Sequence, residues 1–582
     1  MNDVLSEKKD EVIRVAELKK LPIGEEFFDN IRTKGFYYVD KTRFIADFLR
    51  NRGSVNLFTR PRRFGKSLNL DMFRAFFEVG ADAALFEGLD IARETKLCEQ
   101  HMGRYPVISI SLKDVGGLTY DVALRSMSGV IKREARRHQY LLESEKLSLI
   151  DKNSLKELYA RHLDEETIQE SIGLLSEMLC KHYSVGVIIL IDEYDVPLDK
   201  AYQSAYYPKM VQLIRSLFGQ AVKTNKNMEF ALITGCLRIA RESIFTGLNN
   251  FKVHTVSDTR YAEYFGFTDD EVRLMLEYYG IEGRYADFKD WYDGYHFGEV
   301  DIYCPWDVLN QCDKLRSRLD ARMESHWENS SSNAIIQNII EDATETTKAE
   351  IENLISGECV EKELMPELTY TDLDSEDRET RQTYLWSVLF ATGYLTDAGG
   401  MDGRYHKLMI PNKEVLGIYE KKIRLWYRVK VTSDTARWKE FCEAIGEGEV
   451  KKVEVLFNEF MAESISIRDT FVKKPMKENF YHGMLLGLLR AEGSWIVKSN
   501  AESGAGYTDI KLTIPSRKTG CVIEVKYAED GAYESVCREA MEQIEREDYE
   551  AVLMQEGMQT IHKYGIACYR KSCKVAYMSN LP

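Results

Sequence analysis

Residues 54–67 read SVNLFTRPRRFGKS. The first six are apolar and β-branched enough to form a strand, and a helical pattern runs from Lys66 to Val79. Between them lies a basic turn with a single glycine. A strand, a turn and a helix N-terminus in this order let backbone N–H groups converge on a phosphate. Arg62, Arg63, Phe64 and Gly65 would supply those groups. Lys66 would reach the β- and γ-phosphates, and the Ser67 hydroxyl would ligate Mg²⁺. Only Gly65 fits the glycine pattern GxxxxGK[ST], because Arg60 stands where the first glycine belongs. On these letters alone, a basic turn capping a helix is an equal alternative.

Further along, 186–192 (GVIILID) is a continuous apolar run, the mark of a strand buried on both faces. It ends in Asp192 and Glu193. Ligands of open α/β sheets bind at the carboxyl ends of the strands. Asp192 there can hold Mg²⁺, and Glu193 can polarise an attacking water. The bland alternative is an acid pair capping the next helix. A third stretch, ALITGCLRIAR at 231–241, ends a strand at Thr234 with Arg238 four residues on. Thr234 could sense a γ-phosphate and Arg238 could offset transition-state charge, or the two could be a strand cap and a surface arginine. Strands at 54–59, 106–112, 186–192 and 228–234 alternate with helices near 66–79, 119–140, 165–183 and 208–224, which predicts a parallel α/β sheet. The strand at 106–112, between the loop and the Asp-Glu pair in sequence, reads as an added central strand of a P-loop ATPase.

The chain has 582 residues and a formal net charge of −16, which excludes a generic basic nucleic-acid coat. Residues 470–582 carry as many basic as acidic side chains, so that segment is best placed to accept a polyanion. The longest clean apolar run is Val187–Ile191, far too short for a membrane span. The charged N-terminus and eleven scattered cysteines without a CxxC pair fit a cytoplasmic protein. From about 260 the texture becomes helical and aromatic. LWSVLFATGYLT (385–396) followed by KLMIPNKEV (407–415) suggests helices and a small β-hairpin, the pattern of a winged helix. His296 and His482 sit among aromatics and read as hydrogen-bonded core histidines. Trp291, Tyr292, Tyr295 and Trp306 read as core before they read as base-stacking platforms.

Near the C-terminus, 508–514 (TDIKLTI) and 520–527 (GCVIEVKY) read as two strands joined by PSRKTG. If the hairpin closes symmetrically, Ile514 faces Cys521 and Asp509 faces Lys526. Glu524 then shares their face, because strand side chains alternate. Asp509 and Glu524 could converge on one Mg²⁺, which would activate a water, and Lys526 could orient that water. Glu478, from the preceding helix, could add a ligand, and Gln543, from a following one, could position water or phosphate. Solvated hairpins rich in Lys and Glu are the competing explanation, and a one-residue slip would destroy the arrangement.

FYYVDKTRFI (36–45), TRPRRFGKSLNLDM (59–72), LIDEYDVPL (190–198), LITGCLRIARESIFTGLNN (232–250), WYDGYHFG (291–298) and WENSSSNAII (327–336) resemble the AAA-ATPase-like proteins of bacteria and archaea. Those proteins carry a C-terminal PD-(D/E)XK nuclease-superfamily domain, which ENFYHGMLLGLL, SNAESGAGYTDIKL, CVIEVKY and AMEQIEREDY resemble in order and spacing. RPRRFGKS is the usual loop of that family. The chain departs from its relatives at Ala501 and Tyr507, where they often have arginine, and Thr508 stands before Asp509 where the superfamily's name has proline. The resemblance implies ATP as the nucleotide, nucleic acid (DNA foremost) as partner, and a role in defence or in handling mobile DNA. The chain as a whole therefore reads as a P-loop NTPase domain over 1–260, a helical, winged-helix-like region over 261–468 and a small α/β nuclease-like domain over 469–582. A nucleotide-dependent switch whose C-terminal domain binds nucleic acid or protein without cleavage is the competing expectation. A homo-oligomer supplying an arginine finger stays open, with no residue assigned to it.

Overall fold

The computed structural model describes residues 18–580 except 160–161, 239–250, 328–344, 356, 366–376, 400–404, 433–434, 465–473, 491, 493, 504–505 and 547–548. In some helices and strands, 501–509 among them, only the backbone is described. The chain divides into two compact units. One comprises Met1–Ser331 and Glu361–Val415, the other Ser332–Val360 and Leu416–Pro582.

The first unit is built on a five-stranded sheet of β1 (Val55–Thr59), β2 (Val107–Ser111), β3 (Val187–Asp192), β4 (Met228–Gly235) and β5 (Phe251–His254), in the order β2-β3-β4-β1-β5. All pairings are parallel. Every residue of β1 and β3 is buried, as expected of strands covered on both faces. Helices Lys66–Phe77, Tyr120–Arg137 and Glu165–Tyr183 follow the sequence reading closely, the last two capped by Thr119 and Asp164. Two expectations are corrected. The strand between β1 and β3 is β4, while the strand at 107–111 lies at the sheet edge. β5 was not anticipated, because FKVH is short and half polar.

The aromatic stretch beyond residue 260 packs into this same unit. β6 (Phe267–Thr268), β7 (Tyr295–Phe297) and β8 (Val300–Tyr303) form a small antiparallel sheet. Thr268 and Glu271 make a capping box on helix Asp269–Tyr278, and Glu271 also takes the buried Lys41 ammonium at 2.6 Å. Val272, Met275, Phe288 and Tyr292 share one core with Leu21. The expected hairpin is present as β10 (Thr396–Asp397) and β11 (Tyr405–Met409), with β9 (Val360–Glu363) added beside β11. Tyr292 and Tyr295 are buried core residues, and His296 hydrogen-bonds Asp301.

The second unit holds a mixed sheet in the order β12 (Ile496–Ser503), β13 (Gly506–Ile514), β14 (Thr519–Tyr527), β15 (Thr560–Tyr569), β16 (Ser572–Ser579). Only β14 and β15 are parallel, and helix Tyr533–Arg546 makes the crossover that parallel pairing requires. Helices Thr435–Glu447 and Val450–Ser464, which the sequence reading left in the middle region, pack on this sheet. Phe441, Phe457 and Phe460 join Leu485, Ile523 and Val525 in one core, and the Asn458 amide pairs with the Cys573 backbone.

The β13–β14 register differs from the expectation by two residues. Ile514 pairs with Thr519 and Ile510 with Ile523, because the turn is the four residues 515–518, with Lys518 left-handed at φ 47°. Thr519 and Gly520 belong to the ladder, not the turn. An even shift keeps each residue on its face, and the described ladder ends at Ile510–Ile523, one step short of position 509.

Gly565, the register partner of Glu524, lets helix Tyr533–Arg546 lie close on the sheet. A Cβ there would come within 3.0 Å of the Cys537 carbonyl and Met541 Cγ. Gly565→Val should therefore cost about 1–3 kcal/mol in urea unfolding. Gly487→Ala, in a helix with no atom within 4 Å of the added methyl, should be neutral or stabilise by about 0.5–1 kcal/mol.

Candidate nucleotide and nuclease sites

The loop leaves β1 at Thr59 and enters the helix at Lys66. Its curvature comes from two left-handed residues, Arg63 at φ 72° and Gly65 at φ 79°. Alternation of right- and left-handed backbone turns successive N–H groups into one concavity suited to an anion. Arg60 takes no part in it. Its guanidinium is fully buried, donates to the Thr59 and His254 carbonyls, and stacks over Phe265 and Phe297. Burial pulls its pKa down to about 10. Phe64 packs between Tyr295 and Phe297, and Pro61 lies against the turn at Gly393.

Lys66 is 4% exposed, and its ammonium donates to the carbonyls of Arg60 (3.0 Å) and Pro61 (2.8 Å). Cys236 Sγ lies 3.7 Å away. The Ser67 hydroxyl donates to Asp192 Oδ2 at 2.6 Å, and Thr234 donates to Asp192 Oδ1 at 2.5 Å. Glu193 N–H donates to Thr234 Oγ1 at 3.3 Å. The carboxyl ends of β1, β3 and β4 thus bring Lys66, Ser67, Asp192, Glu193 and Thr234 together. Glu193 is left-handed at φ 52°, an uncommon state for a residue with a Cβ. Burial raises its carboxyl pKa while Lys66 opposes the rise, so it can take up a proton nearer neutrality. Hydroxyl and carboxylate oxygens make a hard donor set of the kind Mg²⁺ takes, and Ser67 with Asp192 fits it.

The two loop arginines diverge. Arg62 extends toward Asp199 at 3.9 Å and feels the charges of Asp195 and Glu193. Arg63 stacks on Trp306 at 4.2 Å and reaches the His326 carbonyl at 3.5 Å. Arg238 stands three residues past the end of β4, and residues 239–250 of its motif lie outside the described residues. Sequence reasoning missed three groups here. Tyr194 and Asp195, next to the Asp-Glu pair, bond the chain leaving β4. An acid three residues beyond Asp192 was the available signal. Behind Arg63 lies a buried carboxyl pair, Asp307 and Glu414, whose members are distant in sequence. Glu414 accepts from the backbone N–H groups of His326 and Trp327 and is hydrogen-bonded to Asp307.

In the second unit Glu524 is 4% exposed. Gln543 Nε2 donates to Glu524 Oε1 at 2.5 Å, and Lys526 pairs with Glu539 at 3.4 Å. Glu539 and Gln543 are one turn apart on helix Tyr533–Arg546, matching the two-residue spacing of Glu524 and Lys526 on β14. Glu478, on helix Lys474–Arg490, accepts from Tyr527 N–H at 3.2 Å, one residue past Lys526. The backbone of Asp509 is in β13, but its side chain lies outside the described residues, as do those of Ala501 and Tyr507. Among the described residues no three His, Cys, Asp or Glu side chains gather as a metal cluster. The buried Glu524 carboxylate is nonetheless an oxygen donor of the kind a divalent cation takes. His482 hydrogen-bonds Ser499 at 3.1 Å.

These geometries define a P-loop nucleotide-binding sheet and a mixed sheet with a Glu-x-Lys strand facing one helix. Comparison with known proteins agrees. A family model described as "Predicted AAA-ATPase" matches residues 22–245, and one described as "PD-(D/E)XK nuclease superfamily" matches 476–578. The chain carries an AAA-ATPase-like domain followed by a C-terminal PD-(D/E)XK nuclease-superfamily domain. It is similar to an "Uncharacterized protein in vnfD 5'region" of Azotobacter chroococcum mcd 1, 26% identical over 455 residues, covering 76% of this chain and 77% of that protein. No described helix is long and apolar enough to cross a membrane.

Burial, and then the neighbouring Glu414, push the Asp307 carboxyl well above its ordinary value; burial also raises Glu414. Arg63, Cys304, Tyr292 and Tyr295 are further titratable groups that face Asp307. Groups raised on folding stabilise most below their unfolded pKa of about 4, and that stability is lost as pH climbs through the folded value. Asp307→Asn keeps a neutral donor at every pH. Its melting temperature relative to wild type should climb as pH rises above the unfolded carboxyl pKa of about 4; a pH-independent difference would mean that the pair holds no proton.

Proposed function

We propose that the first unit binds and hydrolyses ATP and that the second cleaves nucleic acid, DNA being the favoured substrate. The observation that carries the reading is the Asp192 carboxylate, which joins the Ser67 and Thr234 hydroxyls at the mouth of the Arg63–Gly65 concavity. In this reading Lys66 and the loop N–H groups of Arg62, Arg63, Phe64 and Gly65 hold the β- and γ-phosphates, and Ser67 and Asp192 hold Mg²⁺. The cation would neutralise phosphate charge. Glu193 accepts a proton from the water attacking the γ-phosphorus, the bond to ADP oxygen breaks, and phosphate leaves. Thr234 and Arg238 face the γ-phosphate and offset its charge.

In the nuclease half, Asp509, Glu524 and Glu478 would hold Mg²⁺, which would supply positive charge beside the scissile phosphate. Lys526 would orient the attacking water, and Gln543 holds Glu524 in place through the bond already described. Residues 1–260 are the ATPase in this reading and 469–582 the nuclease. The 261–468 region is where hydrolysis and cleavage would be coupled.

Purified protein incubated with plasmid and linear DNA, Mg²⁺ and ATP tests both halves. Lys66→Ala should lower ATP turnover by about a hundredfold or more. Asp509→Ala and Lys526→Ala should abolish DNA cleavage while ATP turnover persists. DNA binding without cleavage under all conditions would favour the nucleotide-switch alternative. Cleavage that survives unchanged in Lys66→Ala would separate the two activities.

A further inference from the structure

The end of β3 and the residues that follow it, Asp192 to Asp195, are bonded to the end of β4 and the residues that follow it, Thr234 to Leu237. Asp192 takes the Thr234 hydroxyl, and Tyr194 N–H donates to the Thr234 carbonyl at 3.0 Å. The Tyr194 hydroxyl donates to the Leu237 carbonyl at 2.7 Å. Asp195 Oδ2 accepts from both Cys236 N–H (2.8 Å) and Leu237 N–H (2.9 Å). Asp195 is 5% exposed, and its second oxygen has no hydrogen-bond partner among the described residues. Gly235 makes room for the contact. A Cβ there would stand 2.9 Å from Asp195 Oδ1 and 2.6 Å from the Tyr194 ring. The Gly235 carbonyl in turn accepts from Arg60 N–H at 3.1 Å, at the start of the phosphate loop. The chain emerging from this clasp is Arg238.

We propose that Asp195 is a positioning residue for ATP hydrolysis, which it serves by fixing the Cys236–Leu237 backbone and so the place of Arg238. The inference rests on the reading of the Lys66 loop as an ATP site. A carboxylate with one oxygen committed to two backbone donors acts on the chain, not on a metal. Among the described residues it is the side chain that holds both N–H groups, so its loss loosens the exit from β4 while Lys66, Ser67 and Asp192 keep their own hydrogen bonds. Geometric errors of about 1 Å at such a position cost turnover far more than binding.

The test measures steady-state ATP hydrolysis and, separately, binding of a fluorescent ATP analogue. Asp195→Ala should lower kcat by about a hundredfold with analogue affinity changed less than about threefold. Asp195→Asn, whose amide oxygen can still accept from both N–H groups, should restore most of the turnover. In Asp195→Ala/Arg238→Ala the losses should not multiply, because the two residues act as a unit. Should Asp195→Ala not fold, Gly235→Ala approaches the contact from the other side and should give the same kcat-selective loss. Wild-type turnover in Asp195→Ala, or full multiplication with Arg238→Ala, overturns the inference. Failure of the ATP-site reading itself would look different: analogue binding would be indifferent to Lys66→Ala.

Discussion

One buried carboxylate organises the first site. Asp192 is 6% exposed, and a charge so placed is tolerated only if its oxygens find donors. Both do: one receives Ser67 from the helix that follows β1, the other Thr234 from β4. This side chain, at the end of β3, thus ties together the ends of two neighbouring strands and the helix that follows β1. The same oxygens and the Ser67 hydroxyl are the hard donors a magnesium–phosphate group would use. The interaction that closes the fold at this edge is thus made from the groups the chemistry needs. Lys66 follows the same logic, with its ammonium resting on two backbone carbonyls that a phosphate would replace as partner.

Arg60 shows how the loop does without its first glycine. A glycine at that position normally supplies backbone freedom. Here the left-handed turns fall at Arg63 and Gly65, and Arg60 keeps its backbone bonded to Gly235 while its guanidinium fills an aromatic pocket. Stacking on Phe265 and Phe297 and two carbonyl acceptors offset part of the cost of burying the cation. The residue that looks like a defect in the loop is one of the packing contacts that bind the loop to β5 and the small sheet beyond it.

Much of this was legible in the letters because the decisive elements are apolar runs with chemistry at their ends. VIILID could hardly be anything but a buried strand, and GKS could hardly begin anything but a helix. What could not be read depends on partners remote in sequence. Asp307 and Glu414 meet only in the fold. FKVH becomes a strand because β1 offers a free edge. The amphipathic helices at 435–464 display an apolar face but not its destination, which is the C-terminal sheet. Asp195 stood in plain view three residues beyond Asp192, but the backbone N–H groups that it accepts from leave no trace in sequence.

The β13–β14 hairpin separates what a sequence argument depends on from what it does not. The expected pairing was wrong by two residues because Thr519 and Gly520 extend the ladder and leave a four-residue turn. A slip of one would have turned the two strands' residues to opposite faces. A slip of two only exchanges neighbours along one face. Glu524 and Lys526, two apart on one strand, look the same way whatever the register, and the helix shows it: Gln543 meets the first and Glu539 approaches the second. The claim that survives is therefore about parity. It needs β14 to alternate and one helical turn to span two strand residues, and both follow from backbone geometry before any side chain is placed.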